Sequence, residues 1–375
     1  MKFSIIIPVC NGGDGFAQCL RAVESARAGC RGLAEIADGL QASPFGTELI
    51  VVDDGSTDDS PAAALSAGAM VLSTPGGRGP AAARNLGARA ATGDCLFFVD
   101  ADVALHTDVL RLAAEAFRAD PQLEACFGSY DDAPTAPNFL SQYKNLFHHY
   151  THQRARTEAA TFWTGCGAIR AAAYHALGGL DEKTYRRPSI EDIDLGYRLQ
   201  RRGGKIRLIK EMQGTHLKRW TAGSLLRSDI FERGLPWTVL LWREGLARHI
   251  GRGPVSQRNW GSGAVLLDLN LQTANRVSVA AAGLLLLSLL SLLFIPRLWL
   301  LPLFCAGTLA WLNRDLYRFF LLKRGAWFAL AAIPWHWFYY LYNSLSFGLG
   351  TTQYFLRGAT PVKADGTLAT PASDA

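Results

Sequence analysis

The feature that most constrains this chain is a short apolar strand that ends in two aspartates. Residues 96–99 read Leu-Phe-Phe-Val, and Asp100 and Asp102 come directly after them. Because side chains alternate along an extended chain, the two carboxylates face the same side, about 6–7 Å apart between Cα atoms. An Asp-containing turn without chemistry is the alternative interpretation of so short a motif. Two hard oxygen ligands at the end of a buried strand favour a site for a divalent cation that carries a diphosphate.

Two earlier apolar runs also end in polar turns. Residues 3–9 are predicted to be a β-branched strand and residues 48–52 a second one. Helical spacing follows the first strand, and a turn with an N-cap residue before Pro61, which suits the start of a helix, follows the second. Strands alternating with helices predict a doubly wound α/β sheet, in which ligands bind beyond the carboxyl ends of the strands. The polar residues that follow these strands, together with one in the glycine-rich turn 76–79, are Asn11, Asp53, Asp54, Arg78, Asp100 and Asp102.

Four motifs in order carry a family resemblance. They are Ile-Ile-Ile-Pro-Val-x-Asn at 5–11, Val-Val-Asp-Asp-Gly-Ser-Thr-Asp at 51–58, Ala-Arg-Asn-x-Gly at 83–87 and Asp-x-Asp at 100–102. This succession resembles the nucleotide-binding half of the family-2 glycosyltransferases. The resemblance implies the GT-A fold of nucleotide-diphospho-sugar transferases, a Rossmann-like α/β domain with a mostly parallel sheet.

The resemblance also implies a donor site and a metal. The donor would be a UDP-, GDP- or dTDP-sugar, and Asp100 and Asp102 would hold Mg²⁺ or Mn²⁺ on its diphosphate. Cys10 stands where the family usually has a tyrosine, which leaves that contact open. The residues implied to bind the nucleotide sugar are Pro8, Asn11, Asp53, Asp54, Arg78, Arg84, Asn85 and Asp100.

A Glu-Asp pair further along the chain is a candidate for acid–base chemistry. Glu191 and Asp192 precede apolar residues at helical spacing, so we expect them to open a helix. An inverting transfer needs a carboxylate to deprotonate the acceptor hydroxyl, and a helix N-terminus is expected to lower the pKa of that acid. A simple acidic helix cap is the alternative. The resemblance implies that Asp192 is the base and that Glu191 supports it.

The segment 216–220, His-Leu-Lys-Arg-Trp, resembles the Gln-x-x-Arg-Trp motif of processive members of the family. Lys218 and Arg219 suit a diphosphate leaving group, and His216 is a candidate third metal ligand beside Asp100 and Asp102. We expect Trp220 to stack on an acceptor sugar. His216 in place of glutamine favours transfer of a single sugar. A basic patch with a buried tryptophan is the alternative.

Two other groups of potential metal ligands give weaker evidence of a site. His148 and His152 are four residues apart, which places them on one helix face, but a solvated or acceptor-facing helix is favoured over a metal site. The seven cysteines form no Cys-x-x-Cys pair, which indicates buried thiols in a reducing compartment. They are residues 10, 19, 30, 95, 126, 166 and 305.

The carboxyl-terminal part is apolar enough for a membrane. The chain is 49% hydrophobic and 19% charged, and the apolar excess follows residue 276. We expect a transmembrane region at 276–350 with helices at 276–295, 298–312 and 326–349, then a disordered tail at 351–375. Residues 221–275 are basic and rich in Trp and Leu, which is typical of amphipathic helices at a membrane surface. The prediction is a multi-pass protein of the inner membrane with a cytoplasmic catalytic domain.

The sequence thus predicts a glycosyltransferase domain at 1–220, with a nucleotide half at 1–105 and an acceptor half at 106–220. It would transfer a sugar, with inversion and with Mg²⁺ or Mn²⁺, to a lipid-linked or glycan acceptor. Membrane lipids are expected partners and nucleic acid is not; a homo-oligomer or an envelope-biosynthesis partner is left open. The alternatives are a processive polysaccharide synthase, a catalytically inactive membrane scaffold of the same fold, and a polyanion-binding membrane protein.

Overall fold

The computed structural model describes residues 1–36, 46–244 and 273–356. They fall into two compact units, the first ending at Arg219 and the second beginning at Trp220. The first unit is a sheet covered by helices, and the second is helical in its described part.

The first unit is built on one sheet of eight strands, in the order β3-β2-β1-β4-β7-β6-β8-β5. Neighbouring strands from β3 to β4 are parallel, whereas β7 is antiparallel to both of its neighbours and β5 is antiparallel to β8. The predicted parallel sheet therefore covers the first half, and the second half is mixed. The strands are β1 (Lys2–Val9), β2 (Gly46–Asp53), β3 (Met70–Ser73), β4 (Cys95–Val99), β5 (Val103–Leu105), β6 (Leu123–Tyr130), β7 (Cys166–Arg170) and β8 (Lys205–His216).

Within the described residues of the first unit, seven helices accompany these strands. The apolar strands are buried because helices cover the sheet, and the core includes Phe3, Ile5, Phe97 and Phe117. The helices are α1 (Gly13–Ile36), α2 (Ser60–Ser66), α3 (Pro80–Ala90), α4 (Val109–Ala119), α5 (Phe139–Arg154), α6 (Ala171–Ala176) and α7 (Glu191–Arg201).

The parallel register brings the predicted site residues to one edge of the sheet. Val9 pairs with Asp53 across β1 and β2, and β4 runs parallel to β1 on the other side. The turns after these three strands therefore lie side by side, as expected for ligand sites of open α/β sheets.

Strands β6 and β8 approach each other closely at a register shift between Phe127 and Ser129. Gly128 lies at this irregularity, and a Cβ atom on it would stand 1.8 Å from the carbonyl oxygen of Met212. Only glycine lets the two backbones come this near.

The second unit contains α8 (Ala222–Arg227), a π-helical segment (Ser228–Gly234) and α9 (Leu235–Arg243). After the gap come α10 (Thr273–Ser291), α11 (Leu300–Leu312), α12 (Arg314–Arg324) and α13 (Ala326–Leu356). Of the predicted interface segment 221–275, residues 245–272 lie outside the described residues. In α8 and α9, Leu225, Leu240 and Leu241 are buried in the structure.

Among the described residues, one helix is long and apolar enough to cross a membrane, at Ala274–Ser291. Helix α11 has 13 residues, about 20 Å, which is shorter than a hydrocarbon core of about 30 Å. Helix α13 has 31 residues, but it does not meet the hydropathy expected of a membrane span. The expectation of three spans, and with it of a multi-pass protein, is not supported.

The predicted disordered tail is wrong at its beginning. Helix α13 continues to Leu356, so residues 351–356 are helical. Trp242 donates a hydrogen bond from Nε1 to Thr351 Oγ1 at 2.9 Å and stacks on Tyr354, which explains why the helix extends past the predicted end. Residues 357–375 lie outside the described residues.

Candidate active site

The turns after β1 and β2 are joined by side-chain hydrogen bonds. Asn11 Oδ1 accepts hydrogen bonds from the backbone N–H of Thr57 at 2.8 Å and from its hydroxyl at 3.1 Å. Asn11 itself has a φ of 54°, a left-handed conformation that asparagine tolerates. Asp53 Oδ1 accepts from the backbone N–H of Ser56 at 2.9 Å. The two turns thus form one polar surface, next to which Pro8 lies half-buried in β1.

The carboxylate of Asp54 accepts its hydrogen bonds from the glycine-rich turn and from Thr74 shortly before it. Its Oδ1 accepts hydrogen bonds from the Thr74 hydroxyl and from the backbone N–H of Arg78, and its Oδ2 accepts from the N–H of Gly79 at 2.8 Å. The carboxylate is buried, so its role is to hold this turn in place. The side chain of Arg78 is exposed beside it and remains a candidate for binding an anionic donor.

The side chain of Asn85 likewise makes its hydrogen bonds within the protein. Its Nδ2 donates to the carbonyl oxygen of Leu180 and to Glu182 Oε2, while its Oδ1 accepts from Tyr174 and from the N–H of Leu180. All four hydrogen-bonding positions of the amide are therefore filled. The structure thus gives Asn85 a positioning role between α3 and the segment before α7, in place of the direct nucleotide contact predicted for it.

A buried arginine connects the two halves of the predicted site. Arg84, on α3, donates from one terminal nitrogen to Asp100 Oδ1 at 2.6 Å and from the other to Glu191 Oε1 at 2.9 Å. Arg84 and Glu191 are both buried, and Asp100 is partly exposed. Burial disfavours the charged guanidinium, but the two carboxylates keep the pKa of Arg84 above its ordinary value. Arg84 therefore does not face solvent as the predicted donor contact would require.

Asp192 lies in the first turn of α7, as predicted, and is held by three donors. Its Oδ2 accepts from the backbone N–H and the hydroxyl of Thr164 at 3.1 and 3.3 Å, and its Oδ1 accepts from the N–H of Ile193 at 2.8 Å. The carboxylate is therefore fixed in orientation relative to β7, which begins two residues after Thr164.

The pKa of Asp192 differs from the expectation. Burial raises the pKa of Asp192 above its ordinary value, although the charge of Arg84 and the N–H of Thr164 act in the opposite direction. Burial also raises the pKa of Glu191, against the charge of Arg84. The predicted lowering by the helix N-terminus is outweighed by desolvation. A carboxylate with a raised pKa is a stronger base once it is ionised.

Asp102 and His216 form a second polar pair beside this network. Their Oδ2 and Nε2 atoms are 3.8 Å apart, and the imidazole stacks on Tyr130 with ring centroids 4.2 Å apart. Burial raises the pKa of Asp102, but the neighbouring His216 imidazole and the positive charge of Lys218 outweigh this and hold the pKa at about 2. Asp102 is therefore an anion over the whole physiological range.

These side chains fit a cation that is shared with a substrate. In residues 1–36, 46–244 and 273–356, no group of three or more His, Cys, Asp or Glu side chains is arranged to hold a metal ion. Mg²⁺ in phosphate-binding sites takes one or two carboxylates and completes its shell with phosphate oxygens and water. Ionised Asp102 with His216 beside it meets that requirement, whereas Asp100 already binds Arg84.

The segment after β8 divides between the units. Lys218 and Arg219 are exposed at the end of the first unit, and Lys218 contributes positive charge at Asp102. Trp220 begins the second unit and its side chain is only 3% exposed. The structure therefore does not present Trp220 as the open stacking surface that the sequence predicted.

His152 of α5 is a core residue, whereas His148 and His149 of the same helix are half-buried. His152 is buried, donates from Nδ1 to the carbonyl oxygen of Gly128 at 3.1 Å and lies 4.0 Å from the ring of His148. Burial lowers the pKa of His152 to about 4. A solvated face, as predicted, would not bury this side chain. The apolar partners, Phe127 and Trp163, are far away in the sequence, so local periodicity does not reveal the burial.

Two residues that sequence reasoning did not single out orient the candidate catalytic groups. Thr164 holds Asp192, and Tyr130 supports His216. The only local signal for Thr164 is the glycine-containing turn 164–167 before β7, whereas Tyr130 carries no signal beyond its place at the end of an apolar strand.

Part of the chain matches a known family model. Residues 4–178 match the family model described as "Glycosyl transferase family 2". The "Pre-mycofactocin glycosyltransferase" of Mycobacterium tuberculosis is 31% identical over 195 residues, which cover 47% of this chain and 40% of that protein. The chain thus spans well under half the length of this curated relative.

Solved structures show more distant likenesses. Residues 1–349 of TarS from S. aureus share 16% identity, cover 74% of each chain and give a TM-score of 0.46. The mannosyltransferase PcManGT from Pyrobaculum calidifontis, solved with GDP-Man and Mn²⁺, shares 18% identity, with 84% of this chain and 87% of that one covered, at a TM-score of 0.45.

Proposed function

We propose that this chain, which contains a family-2 glycosyl transferase domain, moves a sugar from a nucleotide-diphospho-sugar to an acceptor hydroxyl with inversion. The observation that carries the proposal is the buried bridge from Asp100 through Arg84 to Glu191. It links the strand end expected to face the donor to the helix that holds Asp192. Buried ion pairs add little to folding stability, so a role in the reaction accounts for the bridge better than a scaffold does.

In this mechanism Asp192 is the general base. Its carboxylate, held by Thr164, takes the proton of the acceptor hydroxyl while that oxygen bonds to the anomeric carbon. The bond between the anomeric carbon and the diphosphate oxygen breaks, and its electron pair leaves with the nucleoside diphosphate. Lys218 and Arg219 offset the negative charge that develops there.

The remaining negative charge of the diphosphate would be balanced by a divalent cation at this site. Asp102 and His216 would hold Mg²⁺ or Mn²⁺, with Asp100 next to them. When bound, the cation supplies positive charge against the diphosphate and lowers the barrier to its departure. Asn11, Asp53 and Arg78 would contact the UDP-, GDP- or dTDP-sugar from the turns after β1, β2 and β3.

The acceptor in this proposal is a lipid-linked or glycan hydroxyl presented at a membrane, with the catalytic unit on the cytoplasmic side. Support for membrane attachment comes from helix α10 and the turn that follows it, because many of their large apolar side chains face outward. Contiguous exposed apolar surface of this kind is typical of membrane or protein interaction sites. The outward-facing residues include Leu284, Leu287, Leu290, Leu293, Phe294 and Ile295.

Donor turnover tests the proposal. The full chain, purified in detergent with native lipid extract, would be given UDP-, GDP- and dTDP-sugars with Mg²⁺ or Mn²⁺. We expect metal-dependent release of nucleoside diphosphate, lost by at least a hundredfold in Asp192→Asn and in Asp100→Asn. Asp194→Asn is the matched control, because Asp194 lies on the same helix and pairs with Arg198.

The outcomes separate the alternatives. One sugar on one acceptor molecule supports single transfer, and a growing chain of sugars supports the processive synthase. If Asp192→Asn and Asp194→Asn turn over donor equally well, Asp192 is not the base. If the wild type neither turns over donor nor binds a nucleotide with metal, the inactive scaffold is the better description.

A further inference from the structure

Helix α12 of the second unit carries arginines and leucines on the same outward face. Arg314 and Arg318 are exposed, one turn apart. Leu321 and Leu322 follow at the next turn, and Leu322 is 74% exposed. The opposite face is buried and consists of Leu316, Tyr317 and Phe320. The outward face therefore pairs positive charge with apolar surface, which ordinary solvated helices do not do.

Exposed tryptophans flank this helix at both ends. Trp311 lies three residues before Arg314, and Trp327, 87% exposed, lies three residues after Arg324. The guanidinium of Arg314 lies over the ring of Trp311, 4.8 Å from its centroid. Tryptophan is enriched at the level of lipid headgroups, because its ring is apolar and its N–H is polar.

The length and charge of α12 determine how it can meet a bilayer. Its 11 residues extend about 16 Å, roughly half of a hydrocarbon core. It has four basic residues and one acidic residue, Asp315. A helix so short and so charged does not cross the hydrocarbon, but it suits the plane of the headgroups.

We propose that α12 lies along the membrane surface and binds anionic phospholipid headgroups through Arg314 and Arg318, with Leu321, Leu322 and Trp327 at the acyl boundary. A soluble polyanion would neutralise the arginines but leave these apolar side chains in water. A second copy of the same face would bring like charges together. An anionic bilayer matches both parts of the face. The inference rests on the membrane attachment proposed above and is independent of sugar transfer.

Lipid selectivity measures this directly. The full chain would be reconstituted into phosphatidylcholine nanodiscs that contain spin-labelled phosphatidylglycerol or spin-labelled phosphatidylcholine. Electron paramagnetic resonance then gives the fraction of each label immobilised by the protein. We expect the wild type to prefer phosphatidylglycerol severalfold, with a preference that falls as salt is added.

Variants assign the preference to this face. We expect Arg314→Gln/Arg318→Gln to bring the ratio close to one and Arg314→Lys/Arg318→Lys to keep most of it, because headgroup attraction depends on charge. Arg21→Gln/Arg89→Gln is the matched control, since it removes two exposed arginines from the first unit. Circular dichroism confirms that each variant is folded.

Three results would overturn the inference. A wild type that enters nanodiscs without preferring the anionic lipid, or a preference unchanged in Arg314→Gln/Arg318→Gln, shows that α12 does not bind headgroups. A chain that does not enter nanodiscs at all overturns the membrane attachment as well. Sugar transfer in detergent is measured separately, so its failure is distinguishable from each of these results.

Discussion

At the scale of single residues, Thr164 is the side chain on which the orientation of Asp192 most directly depends. In Thr164→Val the backbone N–H bond at 3.1 Å remains and the hydroxyl bond at 3.3 Å is lost. A hydrogen bond to a charged group is worth about 1.5–3 kcal/mol. We therefore expect kcat to fall about tenfold or more, with little change in the KM for the donor.

Thr164→Ser is the control for that variant, because serine keeps the hydroxyl. It should retain most of the wild-type kcat. Steady-state kinetics of both variants against the same donor give the answer. An equal loss of kcat in Thr164→Val and Thr164→Ser, or a change confined to KM, would show that Thr164 does not act through Asp192.

Glu48 is a stability residue far from the reaction. Its carboxylate, 20% exposed, accepts hydrogen bonds from Ser4, Thr92 and Lys2. Burial raises its pKa, but these donors outweigh burial and lower the pKa of Glu48 from 4.5 to about 2. A carboxylate whose pKa is lower in the folded protein than in the unfolded chain stabilises the fold at pH values above the unfolded pKa. This contribution to the free energy of unfolding, roughly 3 kcal/mol at most, is therefore lost as the pH falls from 4.5 towards 2.

The measurement is the melting temperature of wild type and Glu48→Gln from pH 7 to pH 2. We expect the variant to melt lower at neutral pH and the difference between the two to shrink below pH 4.5, where the wild-type carboxylate loses its advantage. A difference that stays constant over the whole range would contradict the account.

The role of a residue could be predicted from the sequence where that role depends on its neighbours along the chain. The strand-end aspartates and the Glu-Asp pair follow from local pattern. Arg84 does not, because its two partners are 16 and 107 positions away. For the same reason Asp54 and Asn85 were predicted to contact a ligand, whereas their hydrogen bonds join segments of the protein itself.

At the scale of elements, the contact of β6 with β8 depends on Gly128. In Gly128→Ala the new Cβ would stand 1.8 Å from the carbonyl oxygen of Met212, so the strands must separate. We expect a loss of about 3 kcal/mol in the free energy of unfolding. Gly15→Ala is the control, because nothing lies within 4 Å of a Cβ there. Chemical denaturation of both variants tests this, and an equal effect would contradict it.

Strand order in the second half of the sheet shows what sequence patterning misses. The strands at 123–130 and 166–170 are largely buried, and nothing in their composition tells whether their neighbours are parallel or antiparallel. Direction depends on where the chain returns, and β7 is inserted between β4 and β6 in the opposite sense. The parallel half was predictable because each strand there is joined to the next by a helix.

At the scale of the whole molecule, the exposed leucines of α10 determine how the chain partitions. In Leu287→Glu/Leu290→Glu two outward-facing side chains become charged. A charge placed in hydrocarbon costs about 2.5–3.5 kcal/mol, so we expect the variant to be released from membranes by alkaline carbonate, which leaves the wild type in the pellet. Leu65→Glu is the control, because Leu65 and Leu287 are both 63% exposed but Leu65 lies on α2.

Release of the wild type by carbonate would contradict membrane attachment. Equal release of the Leu65 and α10 variants would show that α10 has no special part in it. Quantitative blotting of pellet and supernatant is sufficient for both comparisons.

The Asp100–Arg84–Glu191 bridge also affects how these positions vary and how variants are interpreted. Replacing either acid leaves a buried cation with half of its compensation, and replacing the arginine leaves two acids facing each other. Each single substitution thus also perturbs the two residues that remain. The loss of activity or stability that it causes is therefore larger than the direct contribution of the substituted residue. Viable replacements are therefore compensated ones, in which the three positions change together, and sequences that diverge from this one should either keep the trio whole or lose it whole.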